Sequence, residues 1–441
     1  MNRLPIIDAA DRARLTDLYA GGWDAPAGVR ATVAEILADV RARGDDALLE
    51  YTRRFDAPEF AFAGLRVVVP PLADARQLIP AAIAAGLELA RERVGAYHER
   101  QRESDKRHVD ADGTVSAFLV RPLASIGAYV PGGTATLPSS VIMTCVPARV
   151  AGVDRVVVAT PPARDGSIDS AILFACSLCG VDELYAVGGA QAIAALAYGT
   201  ATIPRVDKIV GPGNVWVTEA KRQVFGICGV DGLAGPSEVL VVADSAARAD
   251  FVAGEMVAQA EHDPLARVAA VATDRGLLED IAELLASPFA TASGRDHIVA
   301  AVLATRAFLI YARDETEVLD VVERFAPEHL SLQVRNPWPL IAKVRRAGAI
   351  FVGAQTPVAA GDYIAGSNHV LPTSGAGRFS SGLRLADFSR TISLIENSRA
   401  RMTADAPTLA ALARFEGLPA HARTAEMRAP DATIADGGRP S

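Results

Sequence analysis

The sequence predicts an α/β protein built of two doubly wound parallel-sheet domains, with small helical segments at its N- and C-terminal ends. Three observations carry this. At 441 residues the chain is too long for one ordinary core. Short β-branched runs alternate with helical stretches through its middle, the pattern of βαβ units on a parallel sheet. Glycine turns stand where strand hands over to helix: Gly132-Gly133, Gly188-Gly189 and Gly211-Pro212-Gly213.

The elements follow in order. Residues 32–49 look helical and amphipathic, and 87–102 form a long helix. Strands at 156–159, 183–187 and 208–210 alternate with helices at 168–179, 190–198 and 215–225. A second α/β region opens with a buried strand at Glu238–Ala243. A long helix runs from 246 to 262, and strands recur at 268–271, 308–311, 330–334 and 349–352. Residues 408–428 are helical again. The domains expected from this are an N-terminal helical segment 1–24, a discontinuous α/β domain 25–129 and 239–383, and a second α/β domain 130–238. A C-terminal helical segment 384–431 follows, and the polar tail 432–441 is expected to be disordered.

Composition excludes several classes. Half of the residues are apolar and 22% charged, with a net charge of -8, so the clustered cations of a nucleic-acid binder are missing. No apolar run reaches the ~20 residues a bilayer span needs, and the first residues lack a signal-peptide core. The reading is a soluble, cytoplasmic protein with no nucleic-acid or membrane partner. The four cysteines, Cys145, Cys176, Cys179 and Cys228, make no disulfide framework. Cys176 and Cys179 form a C-x2-C pair without a second pair at zinc-finger spacing, and read as core packing. No cysteine is flanked by basic residues, so an activated thiol gains no support.

No G-x-G-x-x-G occurs, which makes the sheets incomplete Rossmann-like units. The three glycine turns still feed helix N-termini, where free N–H groups favour phosphate. Tyr129, Gln191 and Asn214 stand beside them with side chains able to reach a ribose or nicotinamide. Any one such glycine is also explained as a tight turn.

Gln259 and His262, three apart near the end of a helix stopped by Asp263-Pro264, project from one face. Asp362 lies in AAGDYIAGSNH, His369 follows seven residues later, and His421 ends Glu416-Gly417-Leu418-Pro419-Ala420-His421. Imidazoles and oxygen donors without a thiolate suit Zn²⁺, although a histidine at a helix end is also an ordinary surface residue. Glu328-His329, just before a strand, pairs a carboxyl with the side chain whose pKa suits a base near neutrality. The same pair can also be a solvated glutamate beside a loop-capping histidine.

At YVPGGTATLPSSV, YAVGGAQAIAALAYGT, KIVGPGNVWVTEAKRQVFG, LAGPSEVLVVAD, AQAEHDP, APEHL, GDYIAGSNHVLPT and EGLPAH the sequence resembles the histidinol dehydrogenases, from about residue 29 to 428. The resemblance implies oxidation of L-histidinol to L-histidine through bound L-histidinaldehyde, with two NAD and one Zn²⁺ per subunit. It implies that Gln259, His262, Asp362 and His421 bind zinc and that Glu328 and His329 are the catalytic pair. Ser237, His369 and Glu416 match substrate-contacting positions, together with the zinc and catalytic residues. Tyr129, Gln191 and Asn214 match NAD-contacting ones. It further implies a homodimer in which the C-terminal segment of one subunit completes the other's site. Gly232, where a larger apolar residue is common, and Trp216, in place of Tyr or Phe, depart from the pattern beside binding loops. The rival readings are a related zinc and NAD dehydrogenase of another primary alcohol, such as a sulfonated diol, and a two-domain ligand-binding protein. Glu416 favours a cationic amine over a sulfonate.

Overall fold

In the computed structural model, which describes residues 3–132, 136–291 and 294–429, the strands run in chain order as follows. In the first half they are β1 (Ile6–Asp8), β2 (Arg66–Val67), β3 (Lys106–Val109), β4 (Val115–Pro122) and β5 (Ser125–Tyr129). Next come β6 (Arg155–Thr160), β7 (Glu183–Ala186), β8 (Lys208–Val210), β9 (Gly229–Val230) and β10 (Glu238–Ala243). The last are β11 (Arg267–Ala272), β12 (Ala307–Tyr311), β13 (His329–Gln333), β14 (Ala349–Val352) and β15 (Ser389–Glu396).

They form two six-stranded sheets and one three-stranded sheet. One large sheet has the order β1-β12-β11-β10-β13-β14, with every neighbouring pair parallel. The other runs β2-β7-β6-β5-β8-β9, parallel except for the edge strand β2. Each contains the doubly wound order, with a switch point between β10 and β13 in one sheet and between β5 and β8 in the other. The expected α/β class is therefore what the chain adopts. The central strands are apolar on both faces, as parallel sheets covered by helices require. Val239, Val241 and Ala243 of β10 pack into one core, and Leu240 and Val242 into another.

Sheet membership differs from the expected domain boundaries. The segment 1–24 is not purely helical, because β1 pairs with β12 at the edge of the first sheet. Strands β2 and β5 join the sheet of β6–β9 and not that of 239–383. The helix expected at 32–49 is two, Val29–Arg43 and Asp45–Phe55, broken at Gly44 by a φ of +57° that L side chains rarely adopt.

Contacts divide the chain into two compact units, 1–101 with 123–388, and 102–122 with 389–441. The second unit carries the antiparallel sheet β15-β4-β3 and the helices Arg399–Phe415 and Pro419–Glu426. The stretch 384–431, expected to be helical, thus begins with a strand. Its small core holds Ala410, Ala413 and Ala422. The tail 432–441 lies outside the described residues. No described helix is long and apolar enough to cross a membrane. All four cysteines are free and buried, and burial pushes the Cys176 and Cys179 thiols well up, so they serve as core.

Candidate active site

The parallel register of β10 and β13 sets the centre of the site. Val239 lies opposite His329, so Ser237 and Glu238 meet Glu328 and His329 at the amino ends of these two strands. This is the end opposite the carboxyl-end crevice where open α/β sheets commonly bind ligands. Glu328 and His329 are both buried. Glu328 Oε2 accepts from the Glu238 N–H at 2.8 Å, and the Ser237 hydroxyl also serves this carboxyl. Burial raises the Glu328 carboxyl well above its ordinary range, and the charges of Glu238 and Asp362 add to the rise against those hydrogen bonds.

His329 Nδ1 donates to the Glu238 carbonyl at 2.9 Å, since a carbonyl can only accept. Nε2 is therefore the nitrogen with a lone pair to offer. Burial holds this imidazole below its usual pKa, the neighbouring His262 and His369 push the same way, and Asp362 opposes them. Its ring lies 5.8 Å from that of Phe351. Those electrostatic neighbours also show that His262, Asp362 and His369 gather around the pair.

The helix Ala249–Ala260 carries Gln259 in its last turn and ends sooner than expected. His262 therefore stands in the turn beyond it, its N–H donating to the Gln259 carbonyl at 3.3 Å. Asp362 is in the short helix Val358–Tyr363. His369 Nδ1 donates to the Asp362 carbonyl at 2.9 Å, which folds the intervening turn back on itself and again leaves Nε2 as acceptor. Burial lowers the His369 pKa.

Among the described residues no group of three or more His, Cys, Asp or Glu side chains is poised to hold a metal ion. The donor chemistry does fit one. Gln259 is 3% exposed, and its amide oxygen is the atom that could serve a cation. Imidazole and oxygen donors complete the set. Glu416 and His421 belong to the second unit, where both are exposed.

At the other sheet, Tyr129 ends β5, and its hydroxyl accepts from the Gly189 N–H at 3.1 Å. Burial pushes this phenol up to about 12. Gly211 follows β8 with φ +110°, and any Cβ there would collide with the Tyr129 carbonyl. The two strand ends therefore touch at the switch point, where the sequence placed a nucleotide. Gln191 is 1% exposed in the first turn of Gly189–Tyr198. Asn214 is engaged differently from expectation: its Oδ1 caps the next helix, accepting from Trp216 and Val217 N–H at 3.1 and 3.2 Å. Only its amide NH₂ remains for a ligand.

A family model described as histidinol dehydrogenase matches residues 24–429. The chain belongs to the histidinol dehydrogenase family. The histidinol dehydrogenase of Dechloromonas aromatica is 44% identical, covering 97% of this chain and 99% of its own. That of Pseudomonas aeruginosa is 47% identical over 91% of each. The crystal structure of histidinol dehydrogenase from Elizabethkingia anophelis superposes with a TM-score of 0.88 at 32% identity, covering 94% of this chain and 95% of that one. Membership makes the chain an oxidoreductase acting on a small molecule.

Sequence reasoning missed Glu238 as a site residue. Its backbone N–H and carbonyl hold the Glu328 and His329 side chains, and its carboxyl pairs with buried Arg267. The signal was present, a glutamate opening an otherwise apolar strand. Glu255 was also missed. Its carboxylate accepts from the Val358 N–H at 3.1 Å and so fixes the start of the helix that carries Asp362.

Proposed function

We propose that the protein oxidises L-histidinol to L-histidine through bound L-histidinaldehyde, using two NAD⁺, in the last steps of histidine biosynthesis in the cytoplasm. The observation that carries this reading is the buried Glu328–His329 pair. One residue is a base kept neutral with Nε2 open, and the other is a carboxyl whose proton affinity burial raises well above its ordinary range.

His329 Nε2 takes the hydroxyl proton of the alcohol as hydride leaves its carbon, giving the aldehyde. Glu328 then takes a proton from water as it adds to the aldehyde, His329 returns its proton to the aldehyde oxygen to complete the hydrate, and, neutral again, it deprotonates the hydrate as the second hydride leaves. NAD⁺, when bound, would supply the hydride acceptor for each half. Tyr129, Gln191 and the Asn214 NH₂ are the groups that hold it. Gln259, His262, Asp362 and His421 would hold one Zn²⁺ per subunit, which would supply a positive anchor for the imidazole and amine nitrogens of the substrate. Ser237 and His369 line the substrate beside the catalytic pair, and Glu416 offers a carboxylate to its ammonium group. The C-terminal segment that carries Glu416 and His421 would complete the site of the partner in a homodimer, two identical composite sites being what isologous symmetry gives.

The test is NADH release with L-histidinol against a sulfonated diol at equal concentration. Turnover of L-histidinol with little or none of the diol is expected. Preference for the diol would replace this reading with that of a related alcohol dehydrogenase, and turnover of neither would remove the catalytic reading.

A further inference from the structure

Three buried polar atoms on the helices Asp45–Phe55 and Gly189–Tyr198 and the residue that ends the first have no hydrogen-bond partner among the described residues: Thr52 Oγ1, Asp56 Oδ2 and Gln191 Nε2. Buried donors and acceptors are almost always paired, so three together call for an explanation. The helix Asp45–Phe55 and its C-terminal cap carry two of them. Asp45, Leu48, Thr52 and Asp56, spaced by three, four and four, lie along one stripe of it. At the start of the stripe, Asp45 Oδ2 accepts from Thr202 Oγ1 at 2.7 Å, just past the end of the helix Gly189–Tyr198. At its far end the Asp56 charge acts on the Tyr129 phenol, whose oxygen receives the Gly189 N–H. Held at its start and close enough to Tyr129 at its far end for the Asp56 charge to act there, the stripe runs antiparallel to Gly189–Tyr198, which carries Gln191 in its first turn. Thr52 is fully buried and Gln191 is 1% exposed.

The sheet order says what such a cluster would meet. In a doubly wound nucleotide sheet, a carboxylate near the end of the second strand accepts from the 2′-hydroxyl of the adenosine ribose. Here the second strand of the order is β6, and it runs out into Thr160-Pro161-Pro162 with no carboxylate. The segment after Asp56 overlies that half of the sheet. Ala57 and Phe60 pack in the core with Tyr185 and Val187, and Phe60 lies against Gly166 beyond β6.

We propose that Asp56 accepts the adenosine 2′-hydroxyl of NAD⁺, with Gln191 Nε2 donating to the same ribose, and thereby selects NAD⁺ against NADP⁺. This rests on the reading of Tyr129 and Gln191 as the NAD site. Burial pushes the Asp56 carboxyl up to about 6, which still leaves it ionised at pH 7.5. An anion there attracts a hydroxyl proton and repels a 2′-phosphate. The Thr52 hydroxyl, one turn earlier on the same stripe, fixes the Asp56 side chain once the ribose is in place.

Binding of NAD⁺ and NADP⁺ to the full-length protein, followed by titration calorimetry at pH 7.5, tests this. Asp56→Asn is expected to weaken NAD⁺ at least tenfold and to leave NADP⁺ unchanged or tighter. Equal weakening of both, or none, overturns the proposal. Should Asp56→Asn fail to fold, wild-type protein with the 2′-deoxyadenosine analogue of NAD⁺ decides: at least tenfold weaker binding supports the proposal and equal binding overturns it. Gln191→Ala separates the two levels. If it weakens NAD⁺ while Asp56→Asn does not, only the ribose assignment fails. If Gln191→Ala also binds NAD⁺ as wild type does, the NAD site itself is misplaced.

Discussion

His329 takes its tautomer from the backbone. With Nδ1–H committed to the Glu238 carbonyl, His329 can take up a proton only at Nε2, and burial keeps it neutral at pH 7. The two catalytic neighbours are separable by experiment. Glu328→Gln is expected to slow aldehyde-to-acid oxidation by ~10²–10³-fold and alcohol oxidation by less than ~10-fold, because only the second half needs water activated. His329→Asn is expected to slow both halves by ~10²–10⁴-fold, since each requires a proton acceptor. Supplying histidinaldehyde directly isolates the second half, and equal losses in both halves for Glu328→Gln would show its role to be wrongly assigned. The pair itself was legible, as adjacent Glu and His before a strand. The backbone of Glu238 was not, because no side-chain pattern announces a main-chain contact across two parallel strands.

At the scale of elements, the central strands were readable because both faces are buried and the sequence fills them with Val, Leu, Ile and Ala. The sheet β15-β4-β3 was not. Lys106–Val109 is exposed throughout and Ser389–Glu396 nearly so, and without a buried face neither strand shows a period. The helix Ala81–Glu99 shows how an element serves the site from a distance. His98 near its end is fully buried, its Nδ1 donating to the Val94 carbonyl at 2.8 Å. Its Nε2 lies 3.5 Å from the Asn368 amide, which also donates to the Met143 carbonyl at 2.7 Å and so anchors the loop that leads into His369. Burial lowers the His98 pKa. The unfolded chain therefore takes up this proton first, near the ordinary value of about 6.5. The stability gained from a neutral His98 is present above that pH and is lost as pH falls toward the folded value. The melting temperature is expected to drop between pH 7 and pH 5, and to drop less in His98→Gln, measured by circular dichroism. An unchanged slope in the variant would show that His98 does not carry the linkage.

At the scale of the whole molecule, chain order misled the domain assignment. β5 precedes β6 by one helix and pairs with it, yet the expected boundary was drawn between them. Neither edge strand, β1 nor β2, has the length or pattern to declare which sheet it joins. The C-terminal unit takes in β3 and β4 as well as the segment from Ser389 onward, and it holds Glu416 and His421 on a framework of its own. If the partner subunit receives these residues, inactive chains should complement. Mixing His262→Asn with His421→Asn and allowing subunits to exchange is expected to restore about a quarter of wild-type activity. In a heterodimer one site carries both lesions and the other carries neither, and heterodimers form about half of a random mixture. No recovery with heterodimers confirmed by mass would place each site within one chain. A four-electron oxidation completed in one site shows itself in the product count. With L-histidinol limiting and NAD⁺ in excess, two NADH and one L-histidine are expected per L-histidinol consumed, with no aldehyde released. One NADH per L-histidinol, with free histidinaldehyde in solution, would contradict it.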